Sequence, residues 1–131
     1  MTNNVEKTLK KWRQTKFGYD NQNDCLLSLA DYLIDCGYPD FGKKFRETFT
    51  DEKSALLHVA SYNGVQNIIN ETGLSAVEHA KDGDLILVEF GKIEVAGIYT
   101  QNAVHFRSSR GVVSLLFKIC KVKRIWRIEI A

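Results

Sequence analysis

The chain has 131 residues, 44% of them hydrophobic and 26% charged, with a formal net charge of +2. That size and balance describe one globular domain spanning 1–131, and the charge is too small to imply a nucleic-acid partner. No run of ~18 apolar residues exists to cross a membrane, and the polar start Met1-Thr2-Asn3-Asn4-Val5-Glu6-Lys7 lacks the apolar core of a signal peptide.

Val5, Leu9 and Trp12 recur at helical spacing and predict an opening amphipathic helix that ends near Lys16-Phe17-Gly18. The stretch Gly18-Tyr19-Asp20-Asn21-Gln22-Asn23 has loop chemistry, and Asp24 stands where a helix N-cap belongs. Cys25 to Cys36 is then helical, with Leu26, Leu29, Ala30 and Leu33 in one stripe, closed by Gly37 and Pro39. Phe41, Phe45 and Phe49 repeat every four residues and suggest a further short helix. Asp51 can cap a helix from about Glu52 to Tyr62, and Val65 to Thr72 gives a last one before Gly73.

From Gly83 the period changes. Leu85–Phe90, Ile93–Thr100, Ala103–Ser108, Val112–Phe117 and Arg124–Ile130 read as strands, with Gly91-Lys92, Gln101-Asn102 and Arg110-Gly111 as hairpin connections. Lys118, Lys121, Lys123, Arg124 and Arg127 alternate with Ile119, Val122, Ile125, Trp126 and Ile128, which fits a strand with a solvated basic face. Helices over about 3–80 followed by an antiparallel sheet of about five strands over about 83–130 define an α+β fold.

Three cysteines, Cys25, Cys36 and Cys120, lack paired close spacing, so neither a disulfide framework nor a Cys-x-x-Cys metal site is expected. Cys25 and Cys36 lie ~16 Å apart along their helix, too far to bond. His58 and His79 have no metal-ligand spacing to each other or to a cysteine, so no metal and no cofactor is expected. Cys25 is the sharpest feature. A cysteine in the first turn of a helix meets unpaired amides and the positive end of the dipole, which favour the thiolate that attacks carbonyl carbon. The alternative is a small buried hydrophobe.

Asn23-Asp24-Cys25 with the following Leu26-Leu27-Ser28-Leu29-Ala30-Asp31-Tyr32 resembles the Asp-Cys helix start of NlpC-type, papain-like peptidoglycan endopeptidases. Gly83-Asp84-Leu85 is similar to the Gly-Asp-Leu that opens their sheet, and Ala96-Gly97-Ile98-Tyr99 to the core of their His-Val-Gly-Ile-Tyr strand. The closing Arg124-Ile125-Trp126-Arg127 resembles a branch of that superfamily encoded beside the tail genes of tailed bacteriophages. The resemblance implies a papain-like core, Cys25 as nucleophile, a histidine base on the second strand, and an aromatic before the cysteine, here Tyr19, at the oxyanion site. The base position falls on Val95, which cannot accept a proton.

His105 is the replacement to weigh. With Gln101-Asn102 as a two-residue turn, Ile98 pairs His105, and directly opposed residues share a face. His105 then lies with Ala96 and Ile98, and Val95, Gly97 and Tyr99 lie on the other side, so His105 is expected to face away from the cysteine; a one-residue slip reverses this. Two functions follow from the resemblance. One is a virion component of the tail tip or hub, assembled in the host cytoplasm, with catalysis lost or impaired and other tail proteins as partners. The other is an active cysteine endopeptidase cutting peptidoglycan stem peptides, with Cys25, His105 and Tyr19 as its site. A host-encoded binding module is a third.

Overall fold

The apolar spacing of Val5, Leu9 and Trp12 becomes α1 (Thr2–Gln14), with all three side chains buried against the sheet. The computed structural model describes residues 2–19, 23–46 and 48–129. Asp24 opens α2 (Cys25–Asp35): its Oδ1 accepts from the amides of Leu26 and Leu27 at 2.9 and 3.0 Å. Gly37, at φ +94°, ends that helix in the left-handed conformation glycine adopts without a Cβ clash. α3 (Glu52–Ser61) starts in a capping box between Asp51 and Ser54, and α4 (Val65–Asn70) is shorter than the sequence suggests.

The segment around Phe41 and Phe45 is not a helix. Residues 41–46 form turns, and Phe41, Phe45 and Phe49 are nonetheless all buried. Gly42 approaches α2 so closely that a Cβ there would lie 2.6 Å from Leu27 Cδ2. Asp40 accepts from the Gly42 amide and is clamped by Arg46, which also bonds Asp31 on α2. Docking on α2 therefore overrides the four-residue spacing, and aromatic packing among Phe45, Phe49, His58 and Tyr62 accounts for the periodic pattern.

The five strands are β1 (Leu85–Phe90), β2 (Ile93–Thr100), β3 (Ala103–Ser108), β4 (Gly111–Leu116) and β5 (Val122–Trp126). They form one antiparallel sheet in the order β4-β3-β2-β1-β5, with a short 3-10 turn at Phe117–Ile119. Helices followed by a five-stranded antiparallel sheet make the fold α+β. β5 begins two residues before the expected Arg124 because Val122 pairs Val88 across a register shift. It also ends earlier than expected, since the Ile128 amide and the Arg127 Nε turn to the buried carboxylate of Asp84.

Both faces of the sheet are packed. Leu85, Leu87, Ala96, Ile98 and Trp126 meet the helices, and Trp126 Nε1 donates to Asn70 Oδ1 at 3.0 Å. Ile86, Val88, Val104, Phe106 and Ile125 form a second core on the opposite face, with Val95, Tyr99 and Phe117 packed on it. Gly97 belongs to that second face. A Cβ there would sit 2.6 Å from the His105 carbonyl and 2.8 Å from Val104, so only glycine lets β2 and β3 come this close. Among the described residues, no helix is long and apolar enough to cross a membrane.

Candidate functional site

Asp24 caps α2 from a position with no solvent exposure, and its Oδ2 has no hydrogen-bond partner among the described residues. Burial raises its pKa against the pull of the capping amides of Leu27 and Leu26. Cys25 follows on the first turn, part exposed as a residue and free of any disulfide. Its own amide and that of Leu26 do favour the thiolate, as a helix start should. They are outweighed. Burial first, then the charge of Asp24 and more weakly that of Glu52, push the thiol up to about 11. The expectation of a thiolate at Cys25 is thus corrected: the helix start exists, but the carboxylate that caps it opposes ionisation next door.

Tyr19 belongs to the same neighbourhood. Burial, then the charges of Cys25, Glu52 and Asp24, push its phenol up to about 12, so it stands as a neutral donor at physiological pH. It packs edge-on against Phe17, with ring centroids 5.5 Å apart. The loop from 20 to 22 lies outside the described residues.

Arg107 holds the chain on either side of this loop. It is 3% exposed and donates from Nη1 to the Trp12 carbonyl, from Nη2 to the Thr15 carbonyl and hydroxyl at 2.9 and 3.2 Å, and from Nε to the Asn23 carbonyl at 3.3 Å. No carboxylate among the described residues pairs with it, and burial pulls its pKa down. It caps the open carbonyl end of α1 while fixing the chain two residues before Cys25.

The register placing Ile98 opposite His105 is as expected, but the face is not. Ile98 lies in the core shared with α1 and α2, so His105 and Arg107 project to the helix side of the sheet. Val95 pairs Val88 on the opposite face, away from the helices. The expectation that His105 faces away from the side of Cys25 is therefore overturned: both faces are apolar, and the one carrying Ala96 and Ile98 meets the helices. Sharing a side does not join the two residues. His105 Nδ1 is hydrogen-bonded to Ser114 Oγ at 2.6 Å, and burial, then Arg13, lower its pKa against a contact with Thr100. Neither Cys25 nor His105 figures among the groups that set the other's ionisation.

Cys36 and Cys120 are free thiols, part of the core and at a sheet margin respectively. His58 packs edge-on in the aromatic cluster, and His79 is exposed, as their helix and turn positions suggest. No group of three potential metal ligands occurs among the described residues. Glu52 and Arg107 escaped notice in the sequence. Glu52 gives no local signal, whereas Arg107 does: alternation puts this charged residue on the same face as His105, where a charge needs partners. The site thus presents a protonated thiol, a neutral phenol and two carboxylates, with no imidazole bonded to the sulfur among the described residues.

No curated protein matches the chain. The model of a family described as a domain of unknown function, DUF6950, matches residues 1–128, and the chain therefore belongs to the DUF6950 family.

Proposed function

We propose that the chain is a structural protein of a tailed-bacteriophage tail tip or hub, with a papain-like, NlpC-type core whose catalysis has been lost. The observation that carries this reading is Cys25: a cysteine at the N-terminus of a buried helix, held as a thiol by burial and by Asp24, without a histidine bonded to it among the described residues. A peptidase needs that sulfur ionised and a base beside it. The tail assignment rests on the resemblance of residues 124–127 and of the Asp-Cys, Gly-Asp-Leu and Gly-Ile-Tyr stretches. The chain would assemble in the host cytoplasm and travel in the virion, with neighbouring tail-tip or hub proteins as partners.

Two measurements test the two halves of this reading. Peptide mass spectrometry of purified virions from the phage carrying the gene should find the chain at fixed stoichiometry with tail proteins; its absence from particles would sink the tail assignment. Purified peptidoglycan incubated with the protein should release no more new amino termini than with Cys25→Ala. A Cys25-dependent release would overturn the loss of catalysis.

The second reading is an active cysteine endopeptidase that cuts stem peptides during genome delivery. The position of His105 on the helix-packed face and the electrostatic coupling of Tyr19 to Cys25 favour it. It requires a rearrangement that frees His105 from Ser114 and brings its ring to the sulfur.

A further inference from the structure

The two edges of the sheet are finished differently. Along β5, the Val77 amide donates to the Ile125 carbonyl and the Arg127 amide to the Ser75 carbonyl, both at 2.9 Å, and Ala76 bridges Trp126. Lys121 and Lys123 add charges, paired with Glu89 and Glu94. Straps and charges of this kind close an edge to further pairing. β4 has neither. Residues 111–117 contain no charge and no proline. Val113 and Leu116 are 39% and 53% exposed, and Ile119 just beyond is 66% exposed.

The ladder decides which main-chain groups look outward. Two-residue turns make Thr100–Ala103 and Ser108–Gly111 the hydrogen-bonded closing pairs, so Val113 and Leu115 bond inward to β3. Val112 and Ser114 then direct their N–H and C=O groups away from the sheet. Among the described residues nothing hydrogen-bonds to the main chain of either.

The strand is also symmetric in character about its centre: Val112-Val113-Ser114-Leu115-Leu116. We propose that β4 pairs antiparallel with β4 of a second copy about a two-fold axis at Ser114, joining two five-stranded sheets into one. In that register Ser114 meets Ser114 as a hydrogen-bonded pair, Val113 meets Leu115 on one face, and Val112 meets Leu116 on the other. Every apolar side chain faces an apolar one and no like charges are opposed, which is what a self-complementary interface demands. A contact between two copies needs a strand that complements itself when reversed, and residues 112–116 do so about Ser114, so a second copy is the occupant that the sequence fits. Pairing stops at Leu116, where the chain enters the 3-10 turn. This inference does not rest on the proposed function.

The test is sedimentation velocity from about 5 to about 500 μM, because an edge-only contact is small and weak. The wild-type chain should shift from monomer to dimer across that range. Val113→Lys, which sets a charge against Leu115 of the other copy, should remain monomeric with unchanged circular dichroism. If that variant fails to fold, Ser114→Pro replaces it, since the lost N–H points outward and proline is tolerated on an edge strand. Ser114→Cys should oxidise to a dimer linked through position 114 to itself, at least about tenfold more than a Lys92→Cys control, because a paired Cα separation of ~5.5 Å suits a disulfide. A wild-type chain monomeric throughout, a Val113→Lys chain that dimerises equally, or links from position 114 to other sites would overturn the proposal.

Discussion

Replacing Asp24 by Asn tests the electrostatics of the site without dismantling it. Both capping bonds use Oδ1, an atom the amide retains, whereas the negative charge beside Cys25 is removed. In the wild-type chain a thiol pushed up to about 11 is ionised at neutral pH roughly 300-fold less than one at ~8.5. A more basic thiolate is more nucleophilic, with a Brønsted slope of about 0.4–0.5, which recovers roughly tenfold. Cys25 should therefore alkylate about 20- to 30-fold more slowly than an unperturbed cysteine at pH 7. Its rate should climb log-linearly through pH 9 and level off only near 11. Asp24→Asn should move the inflection down and speed the neutral-pH reaction severalfold. Asp24→Ala should add a stability loss of about 1 kcal/mol from the missing cap. The assay is iodoacetamide labelling resolved by peptide mass spectrometry, so that Cys25, Cys36 and Cys120 are read separately. A wild-type inflection at or below pH 8 would refute this account, and an Asn variant indistinguishable from wild type would leave burial, with the weaker charge of Glu52, as the cause.

Other consequences are mainly about stability. Gly97→Ala should cost about 2 kcal/mol in urea denaturation, because the new methyl meets main chain 2.6 Å away and the hairpin must open to admit it. Arg107→Met leaves the carbonyls of Trp12, Thr15 and Asn23 without their donor; a loss of about 2–4 kcal/mol is expected, with hydrogen exchange rising in residues 12–19. Arg107→Lys should recover only part of it, since an ammonium cannot span all three acceptors. Burial opposes ionisation of Asp40, but the bonds and charge of Arg46 prevail and hold its carboxyl below the usual range. A depressed carboxyl contributes stability that is present above its unfolded pKa and lost as pH falls through the folded one. Arg46→Met should thus flatten the fall in stability below about pH 4.

Elements with local causes were legible in the sequence. Asp24, Gly37 and Asp51 mark helix ends by their own hydrogen bonds or backbone angles, and Gln101-Asn102, both at positive φ, form the turn that sets the β2–β3 register. The sides of the sheet were not legible. Strands such as Leu85-Ile86-Leu87-Val88 are buried on both faces, so alternation separates the two sets of residues without saying which set meets the helices. The site divides in the same way. The cysteine at the helix start could be read from its neighbours, but its ionisation depends on depth and on Glu52, which arrives from a different helix. The Phe41-Phe45-Phe49 spacing misled because identical contacts arise from a chain of turns when Gly42 presses against α2.

The placement of Val95 bears directly on how catalysis would have been lost. If an ancestral base had occupied this position and only its side chain had changed, Val95→His should restore a catalytic pair. The register makes that outcome unattainable without a shift of the strand. Val95 lies opposite Val88, on the face that packs Ile86, Val104 and Phe106, and the thickness of the sheet separates it from α2. Val95→His should therefore leave peptide hydrolysis undetectable and the inflection of Cys25 near 11. Restored turnover in that variant would mean that β2 sits one residue out of the register drawn from its pairing with β1. With no turnover, catalysis at Cys25 would require more than one substitution. The side that does face the helices offers His105, already bonded to Ser114 and next to Arg13, so a working site would need β3 and the end of α1 to be rebuilt together.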